Sequence, residues 1–183
     1  MSETPTEYAD RLRENRAEKD RVFAEERGSP IPPDDREQFD GLDYFEPDPT
    51  YRVTATVTVH DEPEPVDMET SDDRTVRYLR THTFEFDLGD GTYSLHGYRQ
   101  EGRDGEVFVP FRDKTTGQET YHGGRYMELA PEEALADGDR ITLDFNLAYT
   151  PFCAFSDAFS CPLPPEENWL ETTVPAGERN PDW

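Results

Sequence analysis

The sequence predicts a mainly β protein, an antiparallel barrel or sandwich with an N-terminal α-helix and a Pro-rich C-terminal cap. Beyond residue 50 the apolar residues recur with a period of two, the period of a half-buried strand. The alternating runs are short and closely spaced, with Gly- and Asp-containing turns between them, as in small closed or stacked sheets. Eleven Phe, nine Tyr and two Trp, many within those runs, supply more ring surface than a solvated chain needs.

At 183 residues the chain is long enough to bury a core and fits a single domain. That domain is expected to run as a helix over 1–28, an extended Pro-rich segment over 29–50 and a β-rich body with its cap over 51–183. The helical pattern spans 6–27, where Tyr8, Leu12, the stem of Lys19 and Val22 or Phe23 fall near one face. Gly28 and Pro30 end it. So thin a stripe predicts a helix laid across the domain surface. Pro30, Pro32, Pro33, Pro47 and Pro49 keep the next stretch extended or turned, with Phe39, Leu42, Tyr44 and Phe45 as its anchors.

In residues 51–59, Val53, Ala55, Val57 and Val59 alternate with Thr54, Thr56 and Thr58 as an antiparallel strand requires. Residues 60–74 are rich in acids and contain Pro63 and Pro65, which reads as an exposed loop. Strands are expected at 75–88 and 92–99 around a Gly89-Asp90-Gly91 turn, whose Asp-Gly step suits the positive φ angles of a tight hairpin. Further strands are expected at 107–111, 125–129 and 141–145, a helical turn at 131–136, and a last strand around 169–174. His82 and His96, on the two hairpin arms, read as surface histidines.

The formal net charge is −24, and Lys19 and Lys114 are the only lysines. Such a charge burdens a compact state in dilute buffer but is muted at molar salt, where the Debye length falls to about 3 Å. A halophilic setting is therefore expected. The aromatic content argues against an acidic disordered chain, and dispersed acids argue against a nucleic-acid mimic. Direct nucleic-acid binding is disfavoured electrostatically. No apolar run is long enough to span a bilayer and the first residues lack a leader's apolar core, so no membrane association and a cytoplasmic location are expected.

The polar residues hardest to dismiss stand in three clusters. The first runs from Phe108-Val-Pro-Phe111-Arg112-Asp113 to Thr120-Tyr121-His122-Gly-Gly124-Arg125-Tyr126. The second is Asp144-Phe-Asn146-Leu-Ala-Tyr149-Thr150-Pro-Phe-Cys153. The third is Cys161-Pro-Leu-Pro-Pro165-Glu-Glu-Asn168, with Ala176-Gly-Glu178 after it. Together with Phe39-Asp-Gly-Leu-Asp-Tyr44-Phe45 and Tyr51-Arg-Val53, they resemble the signature of the uncharacterised domain-of-unknown-function family 1684. The resemblance covers roughly the last three-quarters of the chain and implies no activity. Thr150 stands where the family pattern usually places Asn.

Read as chemistry, Arg112 and Arg125 are candidate anion anchors, because a guanidinium grips a carboxylate or phosphate through two parallel hydrogen bonds. Each has a structural alternative, an ion pair with Asp113 or Asp144 inside the fold. Asp113 and Asp144 are the candidate acid–base pair. Asp144 and Asn146 would share a strand face and project into a pocket with Tyr121 or Tyr126, and Tyr149 and Asn168 complete the candidate ligand set. Cys153 is the candidate nucleophile, although no Cys-His pairing is evident. The two cysteines otherwise read as a short-loop disulfide or as packed thiols under the Pro-rich cap. Their spacing offers no second Cys or His pair for a metal, and no cofactor motif is present. The leading expectation is a pocket for a small polar or anionic ligand. A hydrolase-like enzyme using the same Asp, Tyr and Cys residues comes second, and a structural partner-binding protein without a pocket third.

Overall fold

The computed structural model describes residues 3–89, 91–103 and 105–181. Helix α1, Pro5–Glu25, starts at a capping box: the Thr4 hydroxyl accepts from the Glu7 amide at 3.1 Å, and the Glu7 carboxylate accepts from the Thr4 amide at 2.9 Å. Pro5 occupies the first turn, where its missing N–H costs nothing. The helix buries only Tyr8, Leu12 and Phe23, the thin stripe expected of a surface helix.

The body is one six-stranded antiparallel sheet curved into a half-barrel. Its strands are β1 Arg52–Glu69, β2 Thr75–Leu88, β3 Gly91–Arg99, β4 Val107–Phe111, β5 Arg125–Leu129 and β6 Arg140–Asp144, in the order β5-β4-β3-β2-β1-β6. One face carries the main core: Val53, Ala55 and Val57 of β1, Phe84 and Phe86 of β2, Leu95 of β3, and Val107, Val109 and Phe111 of β4. Leu170, Val174 and Ala176 close it from the C-terminal segment. A second, smaller cluster of Phe23, Ile31 and Phe155 fastens the helix to the Pro-rich cap. Among the described residues no helix is long and apolar enough to cross a membrane.

Three local expectations need correction. Residues 60–69 are not a loop: β1 continues through them and pairs with Thr75–Arg80 after a register shift between Val59 and Glu64. β6 pairs with Arg52–Thr56, the 137–139 turn bonds Val57 and Val59, and Leu163 bonds Glu69, so among the described residues no strand pairs with 60–68 on that edge, where acids and prolines are tolerated. Residues 131–136 form bends rather than a helical turn. The last expected strand is reduced to a bridge between Arg112 and Trp169, continued by hydrogen bonds from the Leu170 and Lys114 amides. Asp90, the centre of the expected hairpin turn, lies outside the described residues; Leu88 and Gly91 pair on either side of it.

A bulge in β2 controls what each face displays. Between Arg80 and His82 the register with β3 slips, so His82, Phe84 and Phe86 face the core while Tyr78 and Arg80 face the other way. His82 is consequently buried and stacked on Phe84 at 6.0 Å, not a surface residue. His96 meets His60, with ring centroids 6.3 Å apart, and Thr83 at 2.9 Å.

Candidate functional site

The candidate residues fall into four separate places. The first is a closed polar lock. Arg125, fully buried, points into the core face, where its guanidinium donates to the carbonyls of Ala176 and Val174 (the latter at 2.9 Å) and lies 3.5 Å from Asp113. Asp113 accepts from the Val174 amide at 2.6 Å and from the hydroxyls of Thr115 and Thr116. Burial lowers the Arg125 pKa and Asp113 opposes that shift. The pair therefore ties β5 and the β4–β5 connection to the C-terminal strap. Only Nε of Arg125 has no hydrogen-bond partner among the described residues.

Asn168 makes a second part of the same lock. β3 and β4 pair at Tyr98 and Phe108 only, and the amide of Asn168 occupies the fork beside that pair. Its oxygen accepts from the His96 amide at 2.8 Å, and its nitrogen donates to the carbonyls of His96 at 3.0 Å and Pro110 at 2.7 Å. One side chain thus replaces the missing ladder bonds. Before Asn168 the chain contacts the face opposite the core, through Pro162 and Glu167; after it, Leu170 and Val174 enter the core. The chain changes face at this fork.

Asp144 and Asn146 lie elsewhere, under α1. Asp144 accepts from the Tyr8 hydroxyl at 2.5 Å and from both the amide and the side-chain nitrogen of Asn146. Asn146 also exchanges two bonds with the backbone of Asp48, at 2.8 and 3.0 Å. Asp113 is bonded to Val174, Thr115, Thr116 and Arg125 and Asp144 to Tyr8 and Asn146, so among the described residues the expected acid–base pair shares no hydrogen-bond partner. Thr150, buried nearby, donates its amide to Glu178 at 3.1 Å, while its hydroxyl has no partner among the described residues. This is the position where the family pattern places Asn.

The remaining candidates line two clefts on either side of Cys161-Pro-Leu163. One, of about 670 Å³, brings together Arg112, Tyr121 and Cys153. Arg112 packs its guanidinium on the Trp169 ring at 4.8 Å and forms no ion pair among the described residues. The Tyr121 hydroxyl is 3.5 Å from Cys153 Sγ, and the Cys153 amide donates to Cys161 Sγ at 3.3 Å. Both cysteines are free. Cys161, and after it Tyr121 and Ser71, lower the Cys153 pKa against the opposing effect of burial, whereas that of Cys161 is raised by Cys153 and by burial.

The other cleft is a groove of about 500 Å³ on the face opposite the core. Tyr126 forms its floor, with Phe108, Tyr149 and Tyr78 half-buried at its sides. Phe108 meets Tyr126 at 4.6 Å and 81°, and Tyr149 meets Tyr126 at 5.8 Å and 89°, so the rings form right-angled corners. The hydroxyls are already engaged: Tyr126 donates to the Pro162 carbonyl and Tyr149 to Glu128. Glu106 and Glu128 stand together at the rim, and Glu128 raises the Glu106 pKa. Sequence reasoning found Tyr126 and Tyr149 but missed Tyr78, Phe108 and the two glutamates. The signal for the aromatic residues was period-two alternation, and it becomes readable only once the β2 bulge is known. Among the described residues there is no group of three or more side chains of metal-binding type.

Comparison with known proteins extends the description without supplying an activity. The solution NMR structure of an uncharacterized protein of Haloarcula marismortui is 65% identical to this chain, covers 95% of each chain and superposes with a TM-score of 0.75. No curated protein matches. Residues 37–179 match the family described as Protein of unknown function (DUF1684), and this chain belongs to that family.

Proposed function

We propose that the protein is a binding module for a small polar ligand carrying an ammonium or alkylammonium group, held in the aromatic groove. The observation that carries this reading is the meeting of right-angled ring walls with the Glu106 and Glu128 carboxylates at the rim of one groove. Because the tyrosine hydroxyls of the floor are spent on protein partners, a ligand meets ring faces, the Glu106 and Glu128 carboxylates and the side chains of Arg99 and Arg103. A cation at a ring face gains about 0.5–2 kcal/mol, more as water is excluded. Two adjacent carboxylates repel each other, and a ligand cation between them relieves that repulsion. The net charge of −24 also concentrates cations near the surface. Arg103, close enough to Tyr78 to act on its hydroxyl, would meet an acidic substituent on the same ligand.

A hydrolase-like activity has less support, since the oxygens of Asp113 and Asp144 are occupied by neighbouring protein groups. The acidic composition and the haloarchaeal neighbour support a salt-rich setting, with which a cytoplasmic location agrees.

The test is a ring-proton NMR titration with choline and with its neutral carbon isostere, 3,3-dimethyl-1-butanol. It is run in about 1 M KCl, where diffuse attraction is screened. Choline is expected to shift the Phe108, Tyr126 and Tyr149 signals saturably, the isostere to leave them in place, and Phe108→Ala to weaken choline binding roughly tenfold. Equal responses to the two compounds, or choline shifts scattered over the acidic surface, would remove the groove as a site.

A further inference from the structure

The second cleft carries a different chemistry. We propose that Cys153 and Cys161 form a dithiol exchange site that reduces small disulfides bearing no net negative charge. The two thiols are not equivalent. Cys153 lines the cleft, while Cys161 is buried behind it at 8% exposure, with its backbone bonded on both sides to Ser71. The two residues are already in contact, since the Cys153 amide donates to Cys161 Sγ at 3.3 Å. The Tyr121 hydroxyl lies 3.5 Å from Cys153 Sγ, and with Cys161 beside it the Cys153 thiolate is favoured at the open side while Cys161 keeps its proton in reserve. An exposed attacking sulfur backed by a buried resolving one is the arrangement that two-step exchange requires.

In the first step the Cys153 thiolate attacks one sulfur of RSSR. A mixed disulfide forms, the R–S–S–R bond breaks, and the departing thiolate takes a proton from solvent. In the second, Cys161 gives up its proton to solvent and attacks the Cys153 sulfur. The Cys153–Cys161 bond forms and the second R–S⁻ leaves and is protonated. The dithiol is oxidised by two electrons, RSSR is reduced to two RSH, and an external thiol restores the dithiol by the reverse exchange.

The walls set the substrate class. Asp72, Asp73 and Asp157 line the cleft with Arg112 as its arginine, and the whole chain is strongly acidic. Anionic disulfides are therefore repelled, and cationic or neutral ones admitted.

The experiment uses the full chain at the lowest salt in which it stays folded, with cystamine and the dianionic dithiodiglycolate as probes and intact mass as readout. With cystamine, the unsubstituted chain is expected to lose two hydrogens without retaining an adduct. Cys161→Ser should accumulate one cysteamine on Cys153, and Cys153→Ser should do neither. Cystamine is expected to react about tenfold faster than dithiodiglycolate, with the gap closing as salt is added. Circular dichroism of both serine variants establishes that they fold, and peptide mapping assigns the adduct. A Cys153→Ser chain modified on Cys161 at the unsubstituted rate, an unsubstituted chain that stops at the mixed disulfide, or equal rates for the two probes would each overturn the proposal. Because this cleft is separate from the aromatic groove, choline binding is unaffected by either outcome.

Discussion

Arg125 and Tyr126 are neighbours in β5 and point to opposite faces of the sheet, and their surroundings differ accordingly. Arg125 spends its guanidinium on the carbonyls of Val174, Ala176 and Glu178 and on Asp113, with the Phe111 ring 5.1 Å away. Tyr126 spends one hydroxyl on Pro162 and offers the rest of its ring as the floor of an open groove. Both belong to the same recognisable run of sequence. The difference teaches that such a run records two demands at once, a polar framework holding the C-terminal strap in place and a surface left available to solvent. Residue type does not separate them; Arg125 is locked in the core and Arg112 lies over Trp169 at a cleft.

The largest expected effect acts on both faces together. With a charge of −24, lowering the salt lengthens the range of repulsion, and the chain is expected to unfold on dilution and refold when salt is restored, followed by circular dichroism. Stability unchanged by dilution would mean that the acid surplus is not an adaptation to salt.

The lock is broken next. Asp113→Ala leaves Arg125 without its counter-ion and the Val174 amide without an acceptor. A loss of roughly 3–5 kcal/mol is expected from denaturant unfolding in high salt. Asn168→Ala uncovers the backbone of His96 and Pro110 at the β3–β4 fork and should cost roughly 2–3 kcal/mol. A loss below about 0.5 kcal/mol for both variants would show that the strap does not depend on these groups.

His82 gives a pH-dependent version of the same comparison. Burial, then Arg99 and His60, push its pKa from 6.5 down to about 4, because its charged form is disfavoured on the core face. Above pH 6.5 it is neutral in both folded and unfolded chains; as pH falls from 6.5 toward 4 only the unfolded chain takes up the proton, so stability is lost across that window. His82→Gln should flatten the difference in stability between the two ends of the window, and an unchanged slope would place the titration elsewhere. The smallest effect belongs to the groove rim: Glu106→Gln is expected to change stability by less than about 0.5 kcal/mol while altering choline binding.

Much of the framework was legible in the sequence. Alternation located β1 through Val59, β2, β3, β4 and β5, and the helix carried its own start signal in Thr4, Pro5 and Glu7. The continuation of β1 through residues 60–69 was hidden because acids and prolines in a strand that pairs along one side look like a loop when the pairing partner is unknown. The groove was hidden for a different reason. Tyr78, Arg80, His82, Phe84 and Phe86 keep one unbroken alternation in sequence, yet the bulge before His82 divides them between two faces. Asn168 gave no sign of its task, because its partners His96 and Pro110 lie on other strands.

By itself, then, the sequence determined the family, the antiparallel β class, the surface helix and the strongly acidic character, since these follow from local periodicity, compound motifs and charge. Only the tertiary structure decided which arginine is locked and which lies at a cleft, which tyrosines share a groove, and that Cys153 and Cys161 touch. Those outcomes depend on which face a side chain takes after a bulge and which distant backbone meets it there, and neither is written in the spacing of residues along one chain.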